Sequence, residues 1–172
     1  MYKRSLGTRV WIIADKYGIE QTKVHSIITS YISFCRDLLL SGNEVTFFNL
    51  VTMTPDYIVS DYRTTFAYQC KMVSESSGVS YYTVYSIVRE YLDFLQEDIM
   101  SGNSVDIRGI VSLHPLCKDG VVVKVHSSIS TSIKRDLSIL NGDVSSIRAH
   151  THNMLKHVIK SNINSNQEVI AE

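Results

Sequence analysis

The chain repeats itself at an offset of 60 residues, with no gap. Laying 13–55 over 73–115 pairs Gly18 with Gly78, Val24 with Val84, Ile27 with Ile87 and Tyr31 with Tyr91. Phe34 falls on Phe94, Val45 on Val105 and Val51 on Val111, and Ser41-Gly42-Asn43 falls on Ser101-Gly102-Asn103. The only two prolines, Pro55 and Pro115, also coincide. Apolar positions alone would match between any two amphipathic helices. Glycines and prolines mark turns, so their coincidence means that one supersecondary unit is used twice.

Within each copy the periodicity changes once. Val24, Ile27, Ile28, Tyr31, Cys35 and Leu38 form a helical stripe, which predicts a long helix over about 20–41. Gly42 stands where a left-handed cap belongs. A shorter helix precedes it, with Thr8 as its expected N-cap and Trp11, Ile12 and Ile13 inside it. From Val45 the period becomes two, with Val45, Phe47, Asn49, Val51 and Met53 on one face. This predicts a single strand ended by Pro55. The second copy predicts a short helix over 64–77, a long helix over 80–101 capped by Ser80, and a strand from Val105 to Leu113. Lys118-Asp119-Gly120 is a hairpin signal, followed by a returning strand over Val121–Val125. A helical stretch follows around 133–140. Asp143 then reads as the cap of a last helix carrying Val144, Ile147, Met154, Leu155 and Val158. The expected organisation is α+β: a first repeat over 1–60, a second over 61–130, a C-terminal helical segment over 131–160 and a polar tail over 161–172.

The 172 residues carry 17 basic and 17 acidic side chains. Duplex DNA affinity comes largely from phosphate neutralisation and counterion release, so a neutral chain starts without that term. No apolar run approaches a membrane span, and Met1-Tyr2-Lys3-Arg4 is followed by no long apolar block, so neither a membrane nor a secretory signal is expected. Cys35, Cys70 and Cys117 lack CxxC spacing and read as reduced thiols. His150, His152 and His157, placed on the last helix, lack the i, i+4 pair that zinc requires and read as solvated positions. Glu90, Asp93, Glu97 and Asp98 read as a solvated helix face, or as a contact for a basic partner. Neither a metal nor a cofactor is expected, and no motif points to an enzyme.

The segment IADKYGIEQTKVHSIITSYISFCRDLLLSGNEVTFFNLVTM, the second SGNSV turn and Arg108-Gly109-Ile110-Val111 resemble the HU/IHF (integration host factor) family of bacterial architectural proteins. The resemblance spans about 13–55 and 73–128, and implies units that interlock through their long helices. DNA-bending members carry a long basic arm tipped by a wedging proline. Here Pro55 runs almost straight into the next helix, and the second copy offers only the turn at 114–120. This arm-less, doubled, neutral form resembles the IHF-like virion proteins of crAss-like tailed phages. That likeness implies a self-associating ring or collar at the portal or tail, assembled in the host cytoplasm and contacting copies of itself and neighbouring virion proteins. Tyr81, Tyr82 and Tyr85, together with Val144, Ile147, Met154, Leu155 and Val158, are the expected partner interface. The alternative is an HU/IHF-class DNA-binding protein, whose contacts would be Lys118, Lys124, Lys134 and Arg135. Nucleic-acid binding is expected to be weak or absent.

Overall fold

The computed structural model describes residues 4–55, 63–141, 147–151, 159–161 and 163–164. It is α+β. Helix α1 (Leu6–Tyr17) and helix α2 (Gln21–Leu40) lead into strands β1 (Glu44–Phe47) and β2 (Val51–Pro55). After the short β3 (Arg63–Thr64) the same series recurs as α3 (Phe66–Ser77), α4 (Tyr81–Met100), β4 (Val105–Ile107) and β5 (Val111–Lys118). The chain continues through β6 (Val121–Ile129), α5 (Thr131–Asn141) and β7 (Ile147–Thr151).

The helix ends are written locally in both copies. Gly42 and Gly102 adopt φ of 83° and 86°. At each, the glycine N–H donates two carbonyls back from the cap, and the following asparagine N–H donates to the carbonyl before that: Gly42 to Leu39 and Asn43 to Leu38, Gly102 to Ile99 and Asn103 to Asp98. This is the Schellman arrangement, and a β-carbon opposes it. Ser80 caps α4 by accepting from the Thr83 N–H, whereas Glu20 makes no such bond for α2. The first helix begins earlier than expected. Ser5, not Thr8, is its N-cap and accepts from the Thr8 N–H.

The expected single strands at 45–53 and 105–113 are hairpins. In the first, Val45 pairs with Met53 and Phe47 with Val51 around a turn at 48–50. In the second, Val105 pairs with Leu113 and Ile107 with Val111. A three-residue turn leaves the inward parity unchanged: residues 45, 47, 51 and 53 all face the core, as they would in one strand. Alternation alone therefore cannot reveal the reversal. The turns close with Leu50 N–H donating to the Phe47 carbonyl and Ile110 N–H to the Ile107 carbonyl.

The C-terminal segment also departs from expectation. Ile147, placed above on a helix, lies in β7, which pairs antiparallel with β2: Val51 opposite Thr151, Met53 opposite Ala149, Pro55 opposite Ile147. Ile147 is buried while Arg148 and His150 face outward, the period of a strand. In the second unit β6 pairs with β5 in the same register, Val111 opposite Ile129, Leu113 opposite Ser127 and Pro115 opposite Val125. So β7 is to the first unit what β6 is to the second. The second unit is nested inside the first, between Pro55 and Ile147, where the tip of the first ribbon would otherwise be.

The sheets are ordered β3-β1-β2-β7 and β4-β5-β6. The units interlock within one chain: α2 packs on α4, α1 on α4 and α3 on α2. One continuous core results, in which Ile27, Tyr31, Ile87 and Tyr91 are all buried. Helix α5 docks on α2, with Ile133 and Leu137 inward. At the same offset from β7, the helical Ile159 packs against Val122 beside Met100.

Candidate functional site

Among the described residues no single catalytic constellation stands out, and the chemistry lies on three surfaces. The first is aromatic. Trp11 is 56% exposed on α1 and Tyr82 is 83% exposed at the start of α4. Two shallow clefts share half-buried Ile19: one is bordered by Trp11 and Gly18, the other by Tyr17 and Tyr82. The patch is thus continuous across the loop between α1 and α2. The patch joins α1 of the first unit to α4 of the second, and the positions that match it carry Lys71, Ser77 and Thr22. Among the expected tyrosines, only Tyr82 is fully outward. Tyr81 is 38% exposed, and Tyr85 packs at 5.1 Å against Phe66 on the core. Val144, Met154, Leu155 and Val158 lie outside the described residues, and Ile147 is consumed by β7. Trp11 was missed as an interface candidate because it sits in an apolar run, Val10 to Ile13, whose inward members are Val10 and Ile13.

The second surface is the seam between α1 and α4, and it revises the reading of the acidic residues. Asp98 is buried, not solvated. Its carboxylate accepts from Arg9 at 2.7 Å and from Arg4 at 2.8 Å. Arg4 also reaches Glu97 at 3.0 Å, and Lys16 meets Glu90 at 2.8 Å. Tyr17 donates to Glu90 at 3.2 Å. The basic partner for this acidic face is the first helix of the same chain. Across the pseudo-two-fold, the place of Arg9 and Asp98 is taken by Gln69 and Leu38. There Gln69 accepts from the Tyr31 hydroxyl at 2.7 Å and donates to the carbonyls of Thr46 and Thr64.

The third surface carries the basic residues. The β5–β6 ribbon runs over 111–129, longer than the expected turn at 114–120 with a return ending at Val125. Asp119 and Gly120, at φ of 52° and 77°, form its tip. Lys118 and Lys124 are exposed on it, while Lys134 and Arg135 are exposed on α5. Arg135 leans to Asp136, which also receives Arg36. These contacts, Arg36 foremost, hold the Asp136 carboxyl below its ordinary range. The four cations are therefore divided between the ribbon and α5, interrupted by Asp119 and Asp136.

Burial pushes the Cys70 thiol up to about 12 and the Cys35 thiol higher still, so neither is a nucleophile in the folded chain. Cys117 is exposed. His150 faces outward from β7, not from a helix, and His152 and His157 lie outside the described residues. No cluster of three or more metal-ligating side chains occurs among the described residues. No helix among them is long and apolar enough to cross a membrane. Comparisons with models of known protein families and with curated proteins find no match for this chain.

Proposed function

We propose that this chain is a non-enzymatic assembly protein with a tandem HU/IHF-like body, forming a ring or collar at the portal or tail of a tailed-phage virion. The observation that carries this reading is the internal pairing of the two units. The surface through which such units would join is already used inside one chain. Among the exposed apolar side chains, Trp11, Tyr17 and Tyr82 form a patch across the two units, whereas the positions that match them carry Lys71, Ser77 and Thr22. Inequivalent halves favour head-to-tail contacts, which close into rings when the rotation permits. Exposed aromatic clusters of this kind are characteristic of contact surfaces between proteins. The partners on this reading are copies of the chain and neighbouring virion proteins.

Sedimentation of the purified chain tests it, at low and high salt and with and without duplex DNA. A discrete oligomer that survives high salt and is lost on Trp11→Ser/Tyr82→Ser supports assembly. A monomer at every concentration, with no binding to any other virion component, refutes it.

A second reading, an HU/IHF-class architectural DNA-binding protein, is favoured by the β5–β6 ribbon with Lys118 and Lys124. Among the described residues only β5–β6 closes in a tip turn, since the second unit is inserted between β2 and β7, and the formal charge of the chain is zero. Affinity on this reading is non-specific, with Kd no tighter than about 10⁻⁶ M at physiological salt. Tight, salt-sensitive binding lost on changing Lys118, Lys124, Lys134 and Arg135 to Glu would make it the better account.

A further inference from the structure

A cleft of about 590 Å³ opens between α1, α2 and the β4–β5 turn. Four arginines line it: Arg4, Arg9, Arg36 and Arg108. Its apolar wall is Leu6, Ile32 and Tyr91. The volume lies within the range of small-molecule sites, where a few placed polar groups interrupt an apolar lining.

Arg4 is engaged by Asp98 and Glu97, but the other three arginines are not used up by the carboxylates near them. Arg9 is 96% buried, by its 4% exposure, and its Nε–H has no hydrogen-bond partner among the described residues. An unmet buried donor on a charged group is costly, and it marks a place where an acceptor belongs. Arg108 makes no ion pair among the described residues. Arg36 spends one Nη on Asp136, and its Nε stands 3.8 Å from where a β-carbon on Gly109 would be. Gly109, at φ 75°, forms the rim beside it. The one acid in the lining, Asp106, accepts from Ser112.

The matching place on the other side of the pairing carries aromatic rings. Phe48 and Phe66 stand where Arg108 and Leu6 would be, with ring centres 5.1 Å apart, and Arg89 lies over Phe48 at 5.0 Å. One backbone frame therefore carries an aromatic plug on one side and an arginine-lined opening on the other. The turns differ accordingly, with the positive φ on Phe48 in one and on Gly109 in the other.

We propose that this cleft binds an oxyanion carried on a small apolar group, a carboxylate or a phosphate ester. Guanidinium forks meet either oxyanion in a bidentate way, and the Leu6–Ile32–Tyr91 wall covers the apolar body. The proposal is independent of the assembly reading.

The test is calorimetric titration of the full chain with phenyl phosphate and with benzoate, against inorganic phosphate and benzyl alcohol. The expected result is saturable one-to-one binding of at least one aryl anion, about tenfold or more tighter than either half-probe. The preferred aryl anion distinguishes the phosphate from the carboxylate source. Exposed Arg108→Ala should weaken binding by about tenfold without loss of fold. Leu6→Phe/Arg108→Phe, which copies the plug of the other half, should abolish binding while the chain stays folded. The proposal is overturned if neither aryl anion saturates up to about 10 mM, or if the plugged variant binds equally. Inorganic phosphate binding as tightly as phenyl phosphate and displaced by duplex DNA would also overturn it, as a nucleic-acid backbone contact.

Discussion

Replacing Asp98 by leucine removes the acceptor of Arg9 while leaving a side chain that fits a helix interior. Arg9 and Asp98 are each about 5% exposed at the side chain, so the guanidinium is left charged and buried with no counter-ion. Arg4, at 26%, can turn to water and to Glu97. Breaking a buried pair from one side costs about 3–5 kcal/mol, which in a domain of this size lowers the melting temperature by roughly 6–20 °C. Arg9→Gln added to Asp98→Leu installs the pair that the other half already uses, Gln69 and Leu38. There a tyrosine hydroxyl serves the glutamine at 2.7 Å, and Tyr91 is the matching tyrosine here. The double variant should return to within about 1–2 kcal/mol of the parent, because replacing both members of a buried pair is often neutral. Urea unfolding of the parent, the two single variants and the double variant completes the cycle. The expected coupling is about 2–3 kcal/mol. Additive effects, or an Asp98→Leu cost below about 1 kcal/mol, would refute the buried-pair argument.

Thiol titration of the native chain should find one fast cysteine, Cys117, with Cys35 and Cys70 reacting only after unfolding. Three equally fast thiols would contradict their burial. Ile147→Asp should cost about 3 kcal/mol or more and open the β2–β7 pairing, read as faster amide exchange at Thr52 and Thr54, whose N–H groups face β7. A helix at 147–151 would leave Thr52 and Thr54 unaffected. Because its partners depress the folded pKa of Asp136, its contribution is full above the ordinary value of 3.8 and is lost as pH falls below it. Protection of the α5 amides, taken relative to their intrinsic exchange rates, should therefore fall below about pH 4 in the parent and fall less in Asp136→Asn. Gly102→Ala should destabilise by about 1 kcal/mol or more, since φ is 86° and Cys117 Sγ stands 3.2 Å from the added carbon. An unchanged melting temperature would contradict the turn geometry.

The repeat, the four main helices and the ends of the two long ones were legible in the chain because they depend on neighbours in sequence. The start of α1, by contrast, was expected at Thr8 and lies at Ser5. A 3.6-residue stripe, a glycine at φ near 85° and a capping serine act over one or two turns, and α2 and α4 fall within a residue or so of expectation. The hairpins were hidden for a parity reason, since a three-residue turn preserves which residues face inward. The pairing of β7 with β2 was hidden for a distance reason. Met53 and Ala149 are 96 positions apart, and nothing in Ile147-Arg148-Ala149-His150-Thr151 names its partner. Asp98 shows the same limit at a single residue. Its neighbours Glu90, Asp93 and Glu97 read as a wetted face, and only the approach of α1 makes it buried and paired. The arginine cleft is likewise a property of tertiary structure. Arg4, Arg9, Arg36 and Arg108 are scattered over two helices, a turn and the segment before α1, each unremarkable where it stands. The sequence determined which units form and how each helix ends. Packing alone decided which side chains meet, because long-range contacts are chosen by shape and charge that no local pattern records.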